Sequence, residues 1–376
     1  MKKIILTIFC IALILAVLSF TGCFKSSANT AGNTGAGVND TASAASESKS
    51  PAGADSENLS DSSTAEVTID SGERQDSLDT NAAVTLKIAS LKGPTSIGML
   101  KLQKENPSLG NNVSSSYEIV PSPDIMVAKI LSNEVQIAAL PTNVAAKLYN
   151  KGSGYRIAAI TGYGVLYLLQ QTSDIKTWDD LKGKKINVIS KGSTPDVALR
   201  YLLEKNGLNA LSDLTLDYTL EQVELSQLMI AGKADLALLP EPFVTMITKN
   251  NPKVTIAFDI EQQWKKAGNG DPMPMSCVVV NGDFADKNRE IVDEFLKQYQ
   301  QSTIWATGNI KDASLLVEEF KIGMDAATAE EAIPRCNIYF TTLDDSKEII
   351  KNYINTILGF SPEDVGGKMP DENFYY

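Results

Sequence analysis

The chain has 376 residues, 34 Lys and Arg against 46 Asp and Glu for a formal net charge of −12, and no histidine. The missing histidine takes away the commonest metal ligand and general base, which excludes Ser/His, Cys/His and histidine-dependent zinc-hydrolase sites. No basic patch argues for a nucleic-acid partner.

Lys2 and Lys3 precede an uncharged apolar run from Ile4 to Phe20, followed by Thr21-Gly22-Cys23. A positive n-region, an apolar h-region and small residues before a cut describe a signal peptide over residues 1–22. The run falls short of the ~20 residues of a membrane span. A cysteine after Thr-Gly resembles the bacterial lipobox, with Phe20 where Leu is usual, and implies cleavage before Cys23 and lipidation of its thiol. The alternative is an uncleaved anchor; either leaves the remainder outside the cytoplasm. Residues 23–82 are Ser, Ala, Thr, Asn, Gly and Asp with almost no large apolar side chain, a composition that cannot offset chain entropy by burial. They are expected to form a disordered tether spanning roughly 40 Å, and they carry −7 of the formal −12. The overall acidity therefore says little about a ligand.

The remaining residues alternate strands and helices. Strands are expected over 84–90, 117–120, 135–140, 155–161 and 165–171, with helices over 95–105, 124–132 and 143–150. A polar turn, Trp178-Asp-Asp-Leu-Lys-Gly-Lys-Lys185, leads into strands over 186–189, 214–218, 234–239 and 254–258, with helices over 195–206, 223–231 and 242–249. A Gly- and Pro-rich loop, 267–274, precedes a strand over 275–280, and helices follow over 289–306, 313–320 and 346–358. Apolar runs of this kind belong to α/β sheets covered on both faces.

Two stretches repeat at one spacing. Gly93 with Pro94, Thr95 and Ser96 returns 99 residues on as Gly192 with Ser193 and Thr194, and Pro141-Thr142-Asn143 returns as Pro240-Glu241-Pro242. Each repeat is a strand, a glycine turn and a helix start bearing hydroxyls, so free N–H groups and the helix dipole gather at the strand end. Ligands of open α/β sheets bind there. Two similarly built lobes are expected, lobe 1 over 83–170 and 262–376 and lobe 2 over 171–261, crossing near Gln171 and again near Gly268.

With Lys92-Gly-Pro-Thr95, Gln136-Ile-Ala-Ala-Leu-Pro141, Trp178 to Lys185, Gly192-Ser-Thr194 and Leu239-Pro-Glu-Pro-Phe-Val244, the chain resembles the substrate-binding lipoproteins of ABC importers. It is most similar to the group binding nitrate, sulfonates, taurine and thiamine-pyrimidine precursors. The resemblance implies a type II periplasmic-binding-protein fold and a monomer. It also implies no catalysis, no cofactor and no metal. A small polar ligand, sulfonate-, nitrate- or aminopyrimidine-like, would be captured by hinge closure and delivered to permease subunits served by a separate ATPase, since the chain has no P-loop. The related thiamine-pyrimidine synthase activity depends on a histidine and cannot be carried over.

Carried onto this sequence, the cleft positions are Gly93, Pro94, Thr95, Ser96, Thr142, Asn143, Tyr163, Ser190, Gly192, Ser193, Thr194, Glu241 and Pro242. Thr142 and Asn143 could equally cap a helix, Tyr163 could be a surface turn, and Glu241 could serve its own helix dipole. A Glu241 facing the cleft would favour a ligand with an amine or hydroxyl donor. Cys277 and Cys336 could form a disulfide or stay buried thiols. Two other functions stay open: a periplasmic-binding-like enzyme of the menaquinone-lyase type, and a lipid-anchored ligand sensor.

Overall fold

The computed structural model describes residues 83–376; the expected signal peptide, the expected lipidation site Cys23 and the expected tether lie outside the described residues. In chain order the first lobe opens with β1 (Val84–Leu91), α1 (Pro94–Gly98), α2 (Leu100–Glu105), β2 (Val113–Val120), α3 (Pro123–Leu131), β3 (Ile137–Pro141), α4 (Thr142–Asn150) and β4 (Tyr155–Tyr163). The second lobe holds β5 (Leu166–Gln170), β6 (Lys185–Val188), α5 (Thr194–Lys205), β7 (Thr215–Asp217), α6 (Gln222–Ile230), β8 (Leu236–Pro240), α7 (Phe243–Asn250), β9 (Thr255–Asp259) and α8 (Ile260–Ala267). The chain then returns through β10 (Pro274–Asn281), α9 (Gly282–Lys287), α10 (Arg289–Gly308), α11 (Ile310–Glu319), α12 (Ala326–Ala332), β11 (Ile338–Thr342) and α13 (Leu343–Phe360).

Sheet one runs β11-β4-β10-β3-β1-β2 and sheet two β7-β6-β8-β5-β9. In the first, β2, β1 and β3 are parallel and β10 is antiparallel to β3. In the second, β7, β6 and β8 are parallel and β5 is antiparallel to β8. The repeat read from sequence is thus a repeat of topology, with β3 and β8 occupying ranges 99 residues apart and buried along their whole length. Such strands are apolar on both faces because helices cover both.

Besides β11, which is not among the expected elements, and β2, which begins at Val113 rather than residue 117, three differences from the expectation bear on the lobes. The first crossing lies at Gly164 and Val165 rather than near Gln171, because β5 pairs with β8 and β9 in the second sheet. The apolar run of β5 fits the centre of either sheet, so composition alone cannot assign it. Residues Ile260–Ala267 form a helix that packs Trp264 on Tyr201 of α5, which extends the second lobe past the expected boundary at 261 and leaves the return crossing over residues 268–273, beginning at Gly268 as expected. The helix expected over 95–105 breaks at Met99, where Gly98 packs so tightly that an added Cβ would stand 3.1 Å from Tyr299 Cε2. Among the described residues no helix is long and apolar enough to cross a membrane. Cys277 and Cys336 are both buried free thiols.

Candidate functional site

The repeated strand ends meet at a cavity of about 110 Å³ between the lobes. Its walls come in pairs 99 residues apart. Leu91 to Thr95 and Ser190 to Pro195 supply one pair, Pro121 with Pro123 and Glu221 with Gln222 a second, and Pro141 and Pro240 a third. The second pair marks the starts of α3 and α6, whose N-caps Ser122 and Glu221 stand at the same spacing. Gly162, Tyr163, Val165, Met275 and Ser276 close the crossing side, and Cys336 adds a thiol pushed upward by burial and by the charge of Glu241. The cavity is smaller than the 300–1,000 Å³ typical of drug-sized ligands. A second, open groove of about 990 Å³ lies beyond Gly192; Asp196, Arg200, Asp364 and Lys147 on its lining pair with one another, and the repeated strand ends converge on the smaller space instead.

In lobe 1, Pro94 and Thr95 line the cavity, and Thr95 Oγ1 donates to Leu91 O at 2.7 Å. Gly93 holds φ 127° and ψ −148°, a region open essentially to glycine alone. Ser96 is fully buried and its hydroxyl turns back on Leu91 O and Ser90, so it fixes the turn rather than facing the cavity. Thr142 is buried beside the Cys277 thiol, which burial pushes up to about 12. Asn143, expected as a cap or a ligand group, is a bridge between lobes: Nδ2 donates to Gly192 O at 2.9 Å and Oδ1 accepts from Thr194 Oγ1 at 3.0 Å. Tyr163 lines the cavity with its hydroxyl donating to Thr341, and burial raises its pKa.

In lobe 2, Ser190, Ser193 and Thr194 line the cavity while Gly192 faces the groove behind it. Ser193 Oγ donates to Ser190 O at 2.7 Å. Glu241 and Pro242, joined by a cis peptide bond, are buried away from the lining. The Glu241 carboxylate accepts from Thr245 N at 2.9 Å and stands 2.8 Å from Arg335 Nη2, an ion pair whose angle falls short of a hydrogen bond. Burial raises its pKa; the Thr245 amide and Arg335 oppose this. Glu241 thus serves its helix and an interlobe pair, not the cavity.

The charged side chains on the lining are Lys92 and Glu221. Neither has an ion-pair partner within 4.0 Å among the described residues. The sequence carried a signal for both: Lys92 adjoins Gly93, and Glu221 sits 99 residues after the N-cap of α3. Because Thr95, Ser193 and Thr194 spend their protons internally, they offer a guest mainly acceptors. Donors come instead from Lys92, from the helix starts, and from Ser276, whose Oγ accepts from Thr161 at 3.0 Å and keeps its own proton.

Residues 108–327 match the family model described as ABC transporter, phosphonate, periplasmic substrate-binding protein. No curated protein sequence matches the chain. Among solved structures, an ABC transporter from Parabacteroides distasonis is 26% identical, with TM-score 0.63 over 78% of this chain and 99% of that one. The periplasmic aliphatic sulphonate-binding protein SsuA of Escherichia coli, 17% identical, gives TM-score 0.64 over 78% of this chain and 92% of that one. The periplasmic nitrate-binding protein NrtA of Synechocystis PCC 6803, 11% identical, gives 0.54 over 65% and 69%. These last two likenesses concern the fold, which is that of type II periplasmic binding proteins. With the family model spanning more than half of its length, the chain belongs to the phosphonate-type periplasmic substrate-binding proteins of ABC transporters.

Proposed function

We propose that this protein captures a small organic anion, a sulfonate or phosphonate with a short apolar or amino-bearing body, by closure of its two lobes. It hands the ligand to permease subunits driven by a separate ATPase while held at the outer face of a membrane by lipid on Cys23. The observation that carries the ligand class is a cavity walled by apolar side chains on which Lys92 and Glu221 are the charged groups. Lys92 and the helix starts favour the anionic head, the apolar walls favour a carbon body, and Glu221 favours an amine. A space of about 110 Å³ suits a small guest rather than a drug-sized one. Closure follows if the ligand binds the closed form better than the open one.

The test is a thermal-shift and calorimetric panel of short alkyl and aminoalkyl sulfonates and phosphonates, nitrate and aminopyrimidines. A ligand at 100 times its Kd stabilises by about 2.7 kcal/mol. Stabilisation by a sulfonate or phosphonate, weakened in Lys92→Met, is the expected result. A panel in which only aminopyrimidines or nitrate bind removes the assigned class, and chemical change of the bound compound removes the transport role.

A further inference from the structure

Beyond the cavity, a buried charge cluster ties the ligand loop to the C-terminal segment. Asp196, 1% exposed, accepts from Gly192 N at 2.7 Å, from Tyr218 OH at 2.6 Å and from Arg200 Nε at 3.0 Å. The same guanidinium donates through Nη2 to Asp364, which also accepts from Ser361 Oγ at 2.8 Å and has Lys147 Nζ at 4.0 Å. Burial alone would lower the Arg200 pKa; the two carboxylates more than reverse this. Asp364 belongs to a 3-10 turn, Pro362–Val365, fastened to lobe 1 by Asn150 Nδ2 donating to Val365 O at 2.7 Å. Asn143 Nδ2 also reaches Asp364 O at 3.3 Å. The chain of contacts therefore runs from lobe 1 through Asp364 and Arg200 to Asp196, and from there to the amide of Gly192.

Gly192 sits at φ 76° and Ser190 at φ 54°, so loop Ser190–Thr194 has a backbone that local preference does not hold by itself. We propose that Arg200 and Asp364, neither of which lines the cavity, are positioning residues: the C-terminal turn straps α5 to lobe 1 and so holds loop Ser190–Thr194 in the shape that faces the ligand. The effect passes through Asp196, which takes the Gly192 amide on one side and Arg200 on the other. Breaking a buried ion pair by removing one partner is costly because the remaining charge is left uncompensated.

This inference rests on the cavity being the ligand site only for its consequence, not for its test. Hydrogen exchange of the full chain without ligand compares wild type, Asp364→Asn and Arg200→Lys. In Asp364→Asn, exchange of amides 190–196 and 361–367 rises together, on the order of tenfold, while β1 and β8 are unchanged; Arg200→Lys, which keeps the charge but not the fork, shows a smaller rise over 190–196. Unchanged exchange over 190–196 in Asp364→Asn overturns the proposal. So does a uniform rise over the whole molecule, which marks general destabilisation. Should Asp364→Asn fail to fold, Arg200→Lys alone decides, since loss of the bidentate contact to Asp196 must still loosen the Gly192 amide. Calorimetry with 2-aminoethylphosphonate and taurine then separates the two readings: wild-type protein binding neither leaves the exchange result standing.

Discussion

The two copies of the strand-turn-helix unit share a backbone and differ in what their side chains do with it. In lobe 1, Gly93 leads into a five-residue helix and Thr95 bonds back to its own strand end. In lobe 2, Gly192 leads into a twelve-residue helix, and Thr194 bonds across the cleft to Asn143. The third pair diverges the same way, with Thr142 buried against a thiol and Glu241 committed to Arg335 of the opposite lobe. A duplicated frame was kept where it builds the cavity, and one copy was turned toward joining the halves.

The largest test of this difference is at the two glycines. Gly93→Ala should cost about 3 kcal/mol, since φ 127° with ψ −148° is glycine territory, whereas Gly192→Ala, at φ 76° with nearest neighbour Asp364 Oδ1 at 3.6 Å, should cost about 1–2 kcal/mol. Urea unfolding of both variants measures it; equal losses would erase the distinction between the turns. Next come the threonines. Thr194→Ala leaves Asn143 Oδ1 buried without its donor and should cost about 1–3 kcal/mol; Thr95→Ala loses a local bond and should cost about 0.5–1.5 kcal/mol. A Thr95 loss exceeding that of Thr194 would mean the cleft bridge contributes little.

The smallest effect concerns pH. Asp235 stands 99 residues after Gln136, which in lobe 1 accepts from Lys87 N at 2.8 Å. Asp235 accepts from Thr172 N at 2.6 Å and Ser173 N at 3.0 Å, where the chain leaves β5. Burial would raise its pKa, but the Ser173 hydroxyl and these amides drive it far below the usual carboxylate range. A depressed folded-state pKa gives stability that is present above the unfolded value near 3.9 and lost as pH falls through the folded one. The wild type should therefore exceed Asp235→Asn by about 1 kcal/mol at neutral pH, discounted for partial exposure. The gap should close on acidification below about pH 4. A gap independent of pH would assign the difference to packing.

Much of this was readable from residues alone. The repeat at 99 pointed to two similarly built lobes, and the apolar runs ending in Pro141 and Pro240 are strands buried along their whole length; their pairing order was not legible from it. What could not be read depended on tertiary partners. The assignment of β5, the break at Met99 against Tyr299, and helix α8, whose Glu261-Gln-Gln and Lys265-Lys266 hide a single buried face of Ile260 and Trp264, are of this kind. At the site, Ser96, Asn143 and Glu241 were sensible choices by type and place, yet each found a partner inside the protein, which spacing cannot foretell. Lys92 and Glu221 belong to residue types that are ordinarily solvated at loop ends, so type alone does not single them out.

Six of the cavity's lining residues are prolines: Pro94, Pro121, Pro123, Pro141, Pro195 and Pro240. Their pyrrolidine rings fix φ and remove an amide donor, so the walls are rigid before any guest arrives and hold entering water weakly. Little ordering entropy remains to be lost there on binding. Preference among guests can then drift through the few polar side chains between the rings, without rebuilding the vessel that contains them.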